Sequence, residues 1–374
     1  MIERRNVLRG GVILATAGVL AACGTPRRER ATAASGSVAW EYKADSAVKG
    51  VRYGAGMVVA ESDSTLTGID AKAGRELWRL PITTPGIGQR SCLWNGALVA
   101  PGAEPDAAGD RVVAVDLASG QRKWVFDAPD GVTVAGVYGV RDQVLYLIAA
   151  DHGGKGREAW AVDMASKTVR WRVPCESDGL TVPESGSLLY NRKPGSGGDL
   201  VALDRETGET AWSRAGDSAV SASTIASGLV KGAVLASDGA HTVSGLDPKT
   251  GAALWTTPAL PYAAGTVFGS GDAYFLCDGS KLHAMSPGGD TSPLWSLTVS
   301  DKGDAVDAAG YGAAGSFYLL AARTLRAIDA RTSKIRWMQT IPDKPGQEVH
   351  FAVGDTHCYV ESTADPATLT AIAR

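Results

Sequence analysis

Eight tryptophans recur along this chain at near-even spacing: Trp40, Trp78, Trp124, Trp171, Trp212, Trp255, Trp295 and Trp337. The intervals are 38, 46, 47, 41, 43, 40 and 42 residues, and only Trp94 and Trp160 fall outside the series. A period near 40 residues marks a chain of repeated supersecondary units, each too small to bury its apolar face alone.

The residues around each Trp show what the unit is. Asp70, Asp116, Asp163, Asp204, Asp247 and Asp329 each stand eight positions before a Trp. An aliphatic residue precedes each Asp, and before that comes a small one, Gly68, Ala114, Ala161, Ala202, Gly245 or Ala327. Gly74, Gly120, Gly208 and Gly251 lie four before the Trp, where Lys167 and Ser333 replace glycine in two units. The unit before Trp295 has lost its Asp and reads Ser286-Pro287-Gly288-Gly289. Small-aliphatic-Asp predicts the end of a half-buried strand. The Asp caps the turn by accepting its backbone N–H groups, and Gly supplies the positive φ of a short hairpin loop. Trp then starts the next strand and brings roughly 150–250 Å² of ring to bury.

Further strands fill the intervals, for example at 56–61, 96–101, 142–150, 232–237 and 355–361. A weaker strand precedes each, so every unit carries about four. Trp40 has no small-aliphatic-Asp strand before it, whereas Leu369, Ala371 and Ile372 match that strand with no Trp after it. Pairing the two ends makes one hybrid unit. The predicted fold is all-β: an eight-bladed β-propeller of four-stranded blades, its ring closed by the N-terminal strand pairing with the C-terminal strands. An open β-solenoid ranks below it, because a solenoid needs no complementary ends.

The unit resembles the pyrroloquinoline-quinone-type (PQQ-like) propeller repeat over residues 37–374. Its Asp-x-x-[Thr/Ser]-Gly-x-x-x-Trp core stands here as Asp116 through Ser119-Gly120 to Trp124, and as Asp247 through Thr250-Gly251 to Trp255. The resemblance implies that each Trp docks between adjacent blades. The family includes quinoprotein alcohol dehydrogenases, the outer-membrane assembly lipoprotein of Gram-negative bacteria, and sensor domains of some bacterial kinases. The quinoprotein enzymes are usually much longer and carry a vicinal Cys-Cys disulfide over the cofactor. This chain has no adjacent cysteines, so cofactor-dependent dehydrogenation is disfavoured. The fold alone does not choose among these roles.

The N-terminus reads as an export signal. Arg4 and Arg5 precede an apolar stretch from Gly10 to Ala22, and Leu20-Ala21-Ala22-Cys23 follows. That stretch is too short to span a bilayer, which takes about 20 apolar residues. The paired arginines resemble a twin-arginine signal. The segment ending at Cys23 resembles the bacterial lipobox, whose cysteine is lipidated and becomes the mature N-terminus. Three parts are expected: a signal peptide over 1–22, a lipidated tether over 23–36, and the propeller over 37–374. Arg27, Arg28 and Arg30 of the tether suit anionic headgroups or simply keep a spacer solvated. The protein is expected outside the cytoplasm, anchored to the membrane as a lipoprotein. Removing residues 1–22 leaves 34 basic and 39 acidic residues, a balance that argues against general nucleic-acid binding.

The search for chemistry returns little. His152, His241, His283, His350 and His357 form no zinc signature and read as surface or loop residues. Asp301, Asp304 and Asp307 lack the alternation of a calcium loop. Gly195-Ser196-Gly197-Gly198 lacks the Lys and helix of a phosphate cradle. Cys92, Cys175, Cys277 and Cys358 have no paired spacing and read as free thiols. No catalytic residue, metal or cofactor is assigned. The expected role is a monomeric, non-catalytic scaffold for binding, assembly or sensing, with envelope proteins of unknown identity as partners. Its least regular loops, 102–110, 151–158, 191–199 and 300–307, are the expected binding surface. The alternative is a quinone-dependent enzyme or small-ligand binder with a site at the central channel.

Overall fold

The computed structural model describes residues 35–82, 91–102, 111–151, 156–175, 177, 179–183, 186–191, 199–215, 218–219, 229–237, 241–261, 266–270, 273–278, 280–299, 309–313, 315–321, 324–341, 351–361 and 365–374. All regular structure among them is β. Antiparallel sheets follow one another along the chain, and each is named here for the Trp on its outer strand. The Trp78 sheet shows the plan: Val48–Gly54, Met57–Ser62, Thr65–Asp70 and Glu76–Pro81 pair in chain order. The second strand is buried along its whole length, whereas the outer strand buries little besides Trp78.

The count of full blades corrects the sequence reading. Among the described residues seven sheets hold four or more strands, but the Trp212 sheet holds three: Leu188–Asn191, Leu200–Leu203 and Thr210–Arg214. Eight equivalent four-stranded blades are therefore not formed. The chain before Leu188 shows why. Pro183 has no N–H to give a ladder, and its carbonyl is taken by the Arg205 guanidinium. Gly186 then turns at φ +82 against Pro248 of the following sheet. The Trp255 sheet deviates the other way. Two short strands, Ser218–Ala219 and Leu229–Val230, share the edge of Ala233–Ser237.

The remaining sheet joins the two ends of the chain. Val38–Lys43 pairs with Thr368–Ala373, which pairs with His357–Glu361 and that with Phe351–Val353. Clusters of buried side chains run between successive sheets. Val48, Val58 and Ile69 of the first sheet, for example, pack with Tyr359, Leu369 and Ala371 of the last.

The antiparallel order sorts the connections by end. Hairpins joining first to second strands and third to fourth strands fall at one end of every sheet, here the turn end. Connections from second to third strands, and from one sheet to the next, fall at the other, the loop end.

Candidate functional site

The repeated motif is the joint between sheets. In all eight sheets the small residue lies directly across the ladder from the Trp: Gly68 from Trp78, Ala114 from Trp124, Ala161 from Trp171, Ala202 from Trp212, Gly245 from Trp255, Ala284 from Trp295, Ala327 from Trp337 and Ala371 from Trp40. In seven of them the register shifts at the next residue, so a bulge carries the strand around the ring. At Gly68 the fit is closest: an added Cβ would stand 2.0 Å from Trp78 Cε2.

Each indole also reaches the following sheet. Trp78 Nε1 donates to the Leu117 carbonyl at 2.6 Å, Trp124 to Met164 at 2.7 Å, Trp171 to Arg205 at 2.8 Å and Trp295 to Ala330 at 3.0 Å. Trp40 and Trp212 do the same to Ala71 and Pro248. In every case the acceptor is the residue after the motif Asp of the next sheet. That Asp fixes the turn that presents the carbonyl. Asp163 Oδ1, for instance, accepts the N–H groups of Ala165 and Ser166, while Arg170 holds Oδ2. These bonds hold the Asp163 carboxyl far below its ordinary range; the same holds for Asp329, where Arg336 contributes first. Hydrogen bonding from Lys123, then Ser119, lowers Asp116 to about 2. Asp204 and Asp247 are lowered chiefly by backbone N–H bonds, and Asp70 accepts from Lys72 and Ala73.

Where the two chain ends meet, the same turn is assembled from two pieces. In the Trp78 sheet, Asp70 N–H donates to the Arg75 carbonyl and Gly74 N–H to the Asp70 carbonyl. In the Trp40 sheet, Ala373 N–H donates to Ser37 at 2.9 Å and Gly36 N–H to Ala373 at 2.7 Å. Ser35 Oγ adds a bond to the Arg374 carbonyl at 2.7 Å. Gly36 thus occupies the Gly position four before Trp40, and the Trp337 ring packs on it. Ser35 and Gly36 form part of the turn that leads into the strand Val38–Lys43. The N-terminal segment therefore joins the fold at the turn end.

Several polar groups lie in the interior. Arg52 is half-buried beside Glu61 and donates to Ser91 Oγ at 3.5 Å and the Ser91 carbonyl at 3.4 Å. A cavity of about 10 Å³ beside them has room for one water. His283, expected at the surface, is buried, with Nδ1 on Ser296 Oγ at 2.8 Å and Nε2 on Asp278 Oδ2 at 3.1 Å. Ser296 lies directly across the ladder from His283, and the equivalent pair in the Trp255 sheet is Ser244 with Thr256, also hydrogen-bonded. The His283 contacts therefore tie strands together, as that ladder pair does. His357 is likewise buried, against Thr356 and Tyr359.

Cys175, Cys277 and Cys358 are buried and Cys92 is half-buried; Cys92, Cys277 and Cys358 lie in three different sheets, Cys175 just past the strand Thr168–Pro174, and none is in a disulfide. Burial pushes the Cys92 and Cys358 thiols up to about 12. Among the described residues no three His, Cys, Asp or Glu side chains converge as a metal site. The described residues do not supply the adjacent cysteines of the quinoprotein enzymes. Of the expected binding loops, 103–110, 152–155, 192–198 and 300–307 lie outside the described residues, as do Cys23, Arg4 and Arg5. The strand ends that flank these loops, at Pro101, Asp151, Asn191 and Thr298, all fall at the loop end.

These joints define a β-propeller of the PQQ-like class. Comparison with known proteins narrows the class further. The family model described as outer membrane protein assembly factor BamB matches residues 3–125 and 108–267, and the chain belongs to that family. Over 160 residues it is 30% identical to the serine/threonine-protein kinase AfsK of Streptomyces griseus, a match spanning 36% of this chain and only 18% of the kinase. The fold is similar to that of BamB from Moraxella catarrhalis, with a TM-score of 0.63 at 14% identity over 90% of this chain and 99% of that one. It is also similar to a quinohemoprotein alcohol dehydrogenase from Pseudomonas putida, with a TM-score of 0.61 at 13% identity over 90% of this chain and 76% of the enzyme. At these identities the solved structures speak to the fold alone.

Proposed function

We propose that this protein is a non-catalytic scaffold of the bacterial envelope, held at a membrane through a lipid on Cys23, that binds protein partners at its loop end. Membership in a family described as an assembly factor supports the scaffold role. The two-piece turn is the observation that carries the arrangement. It places the root of the N-terminal segment at the turn end, opposite the irregular connections, so a tethered molecule keeps its loop end free.

A photo-crosslinking residue at Asp63 or Asp130, both exposed at the loop end, should give a discrete protein adduct in cells. The same residue at Lys249, on a turn, should not. Equal adducts from both ends, or none from the loop end, would sink the arrangement. Cys23→Ser should move the protein out of the membrane fraction, and retention there would remove the lipid from the proposal.

A further inference from the structure

We infer that the rim formed by the outer strands of three neighbouring sheets, Trp337, Trp40 and Trp78, rests on an anionic membrane surface. The inference rests on the reading that the segment before Ser35 holds the protein at a membrane. The three sheets are neighbours by direct contact: Trp337 packs on Gly36, and Trp40 packs on Gly74. The root of the N-terminal segment lies in the middle one.

Apolar groups gather on this rim. Val38, Leu77, Ile335 and Met338 are all exposed, Met338 at 64%, although a soluble edge strand usually carries polar residues there. Basic groups lie beside them. Lys72, Arg75, Arg331 and Lys334 are exposed on the turns of the two flanking sheets, and no described residue forms an ion pair with them. Across the ring, the turn of the Trp212 sheet is acidic through Glu206 and Glu209. An apolar strip beside Lys and Arg is the composition of a surface that lies at a lipid interface, where each basic group near anionic headgroups contributes about 1 kcal/mol.

Reach agrees with this placement. Eleven residues lie between Cys23 and Ser35, and the twelve steps span at most about 40 Å when extended. Val38, three residues from Ser35, lies well within that span. Leu254 and Leu294 are also exposed, but they lie on the Trp255 and Trp295 sheets, beyond the three neighbours. They serve as an internal control.

The test uses the full chain reconstituted with vesicles that carry a headgroup quencher. An environment-sensitive fluorescent residue is placed at position 338 or at position 254. With phosphatidylglycerol in the vesicles, quenching at 338 should exceed that at 254 several-fold. The difference should vanish in pure phosphatidylcholine and in the Arg331→Glu, Lys334→Glu double variant, with the protein still floating with the vesicles. Equal quenching at both positions, persistence after charge reversal, or failure to float at all would overturn the inference. A Cys23→Ser protein that leaves the membrane fraction of cells less readily than expected, yet still shows quenching at 338, would count against the lipid and not against the rim.

Discussion

At the residue scale the joint depends on what is missing from two positions. Gly68 faces Trp78 so closely that Gly68→Ala would put a Cβ 2.0 Å from the indole. The ring must then leave the Leu117 carbonyl or the strand must shift. Overpacking of this kind costs about 1–3 kcal/mol, and thermal unfolding should show it. Ala114→Gly, at the equivalent position of the next sheet, should cost only about 0.5–1 kcal/mol, the ordinary penalty of Gly in a strand. Equal losses would mean that the indole does not set the size limit. The motif Asp residues predict a pH dependence. Asp116, at about 2, and Asp163 and Asp329, also depressed, are charged in the fold below the ordinary Asp value of about 3.9. Their stabilisation is complete above that value and is lost as pH falls through the folded values. All three are half-buried at the surface, where water screens their pairs, so the effect is modest. Replacing all three with Asn, which keeps the turn acceptor, should flatten the fall of melting temperature between roughly pH 4 and pH 2.5. An unchanged fall would place the acid sensitivity elsewhere.

At the element scale the split turn is the informative piece. A whole turn runs from Asp70 to Gly74, whereas the split one runs from Ala373 and Arg374 to Ser35 and Gly36, with one position unfilled. Joining Arg374 to Ser35 through a single residue, with new ends opened between Asp63 and Ser64, should therefore give a protein that melts no lower than the original. A large drop would mean that the turn needs its gap. Deleting residues 368–374 removes a strand bonded on both sides, to 38–43 and to 357–361, and should cause a large loss of melting temperature. The PQQ-like repeat was legible in the sequence because the spacing of small residue, Asp, Gly and Trp is itself the joint. The three-stranded Trp212 sheet was not, because the lost strand turns on where the Pro183 carbonyl and Gly186 go, and neither disturbs the Trp period. Buried His283 was missed for a similar reason: its partners Asp278 and Ser296 come from different strands, and only the register brings them together. The loops expected to bind partners carry no periodic signal, so the sequence could mark only where they interrupt the repeat.

At the scale of the whole molecule, the same ring serves proteins with different chemistry. The resemblance to a quinohemoprotein dehydrogenase, at 13% identity, speaks to the ring alone. An enzyme of that kind needs a site that encloses a flat cofactor and a cation beside it. Here the cavity next to Arg52 has room for one water, no three metal-ligating side chains converge among the described residues, and Asp116, Asp163 and Asp329 are engaged by the N–H groups of their turns. Incubation with pyrroloquinoline quinone and calcium should therefore leave the melting temperature unchanged and give no alcohol oxidation. The assay has the sensitivity to decide the matter, because a ligand at 100 times its Kd stabilises the folded state by about 2.7 kcal/mol. A protein of this size would turn that into a rise of several degrees. Such a rise would point to a site at the channel built by the long connections, and the scaffold reading would have to yield to an enzymatic one.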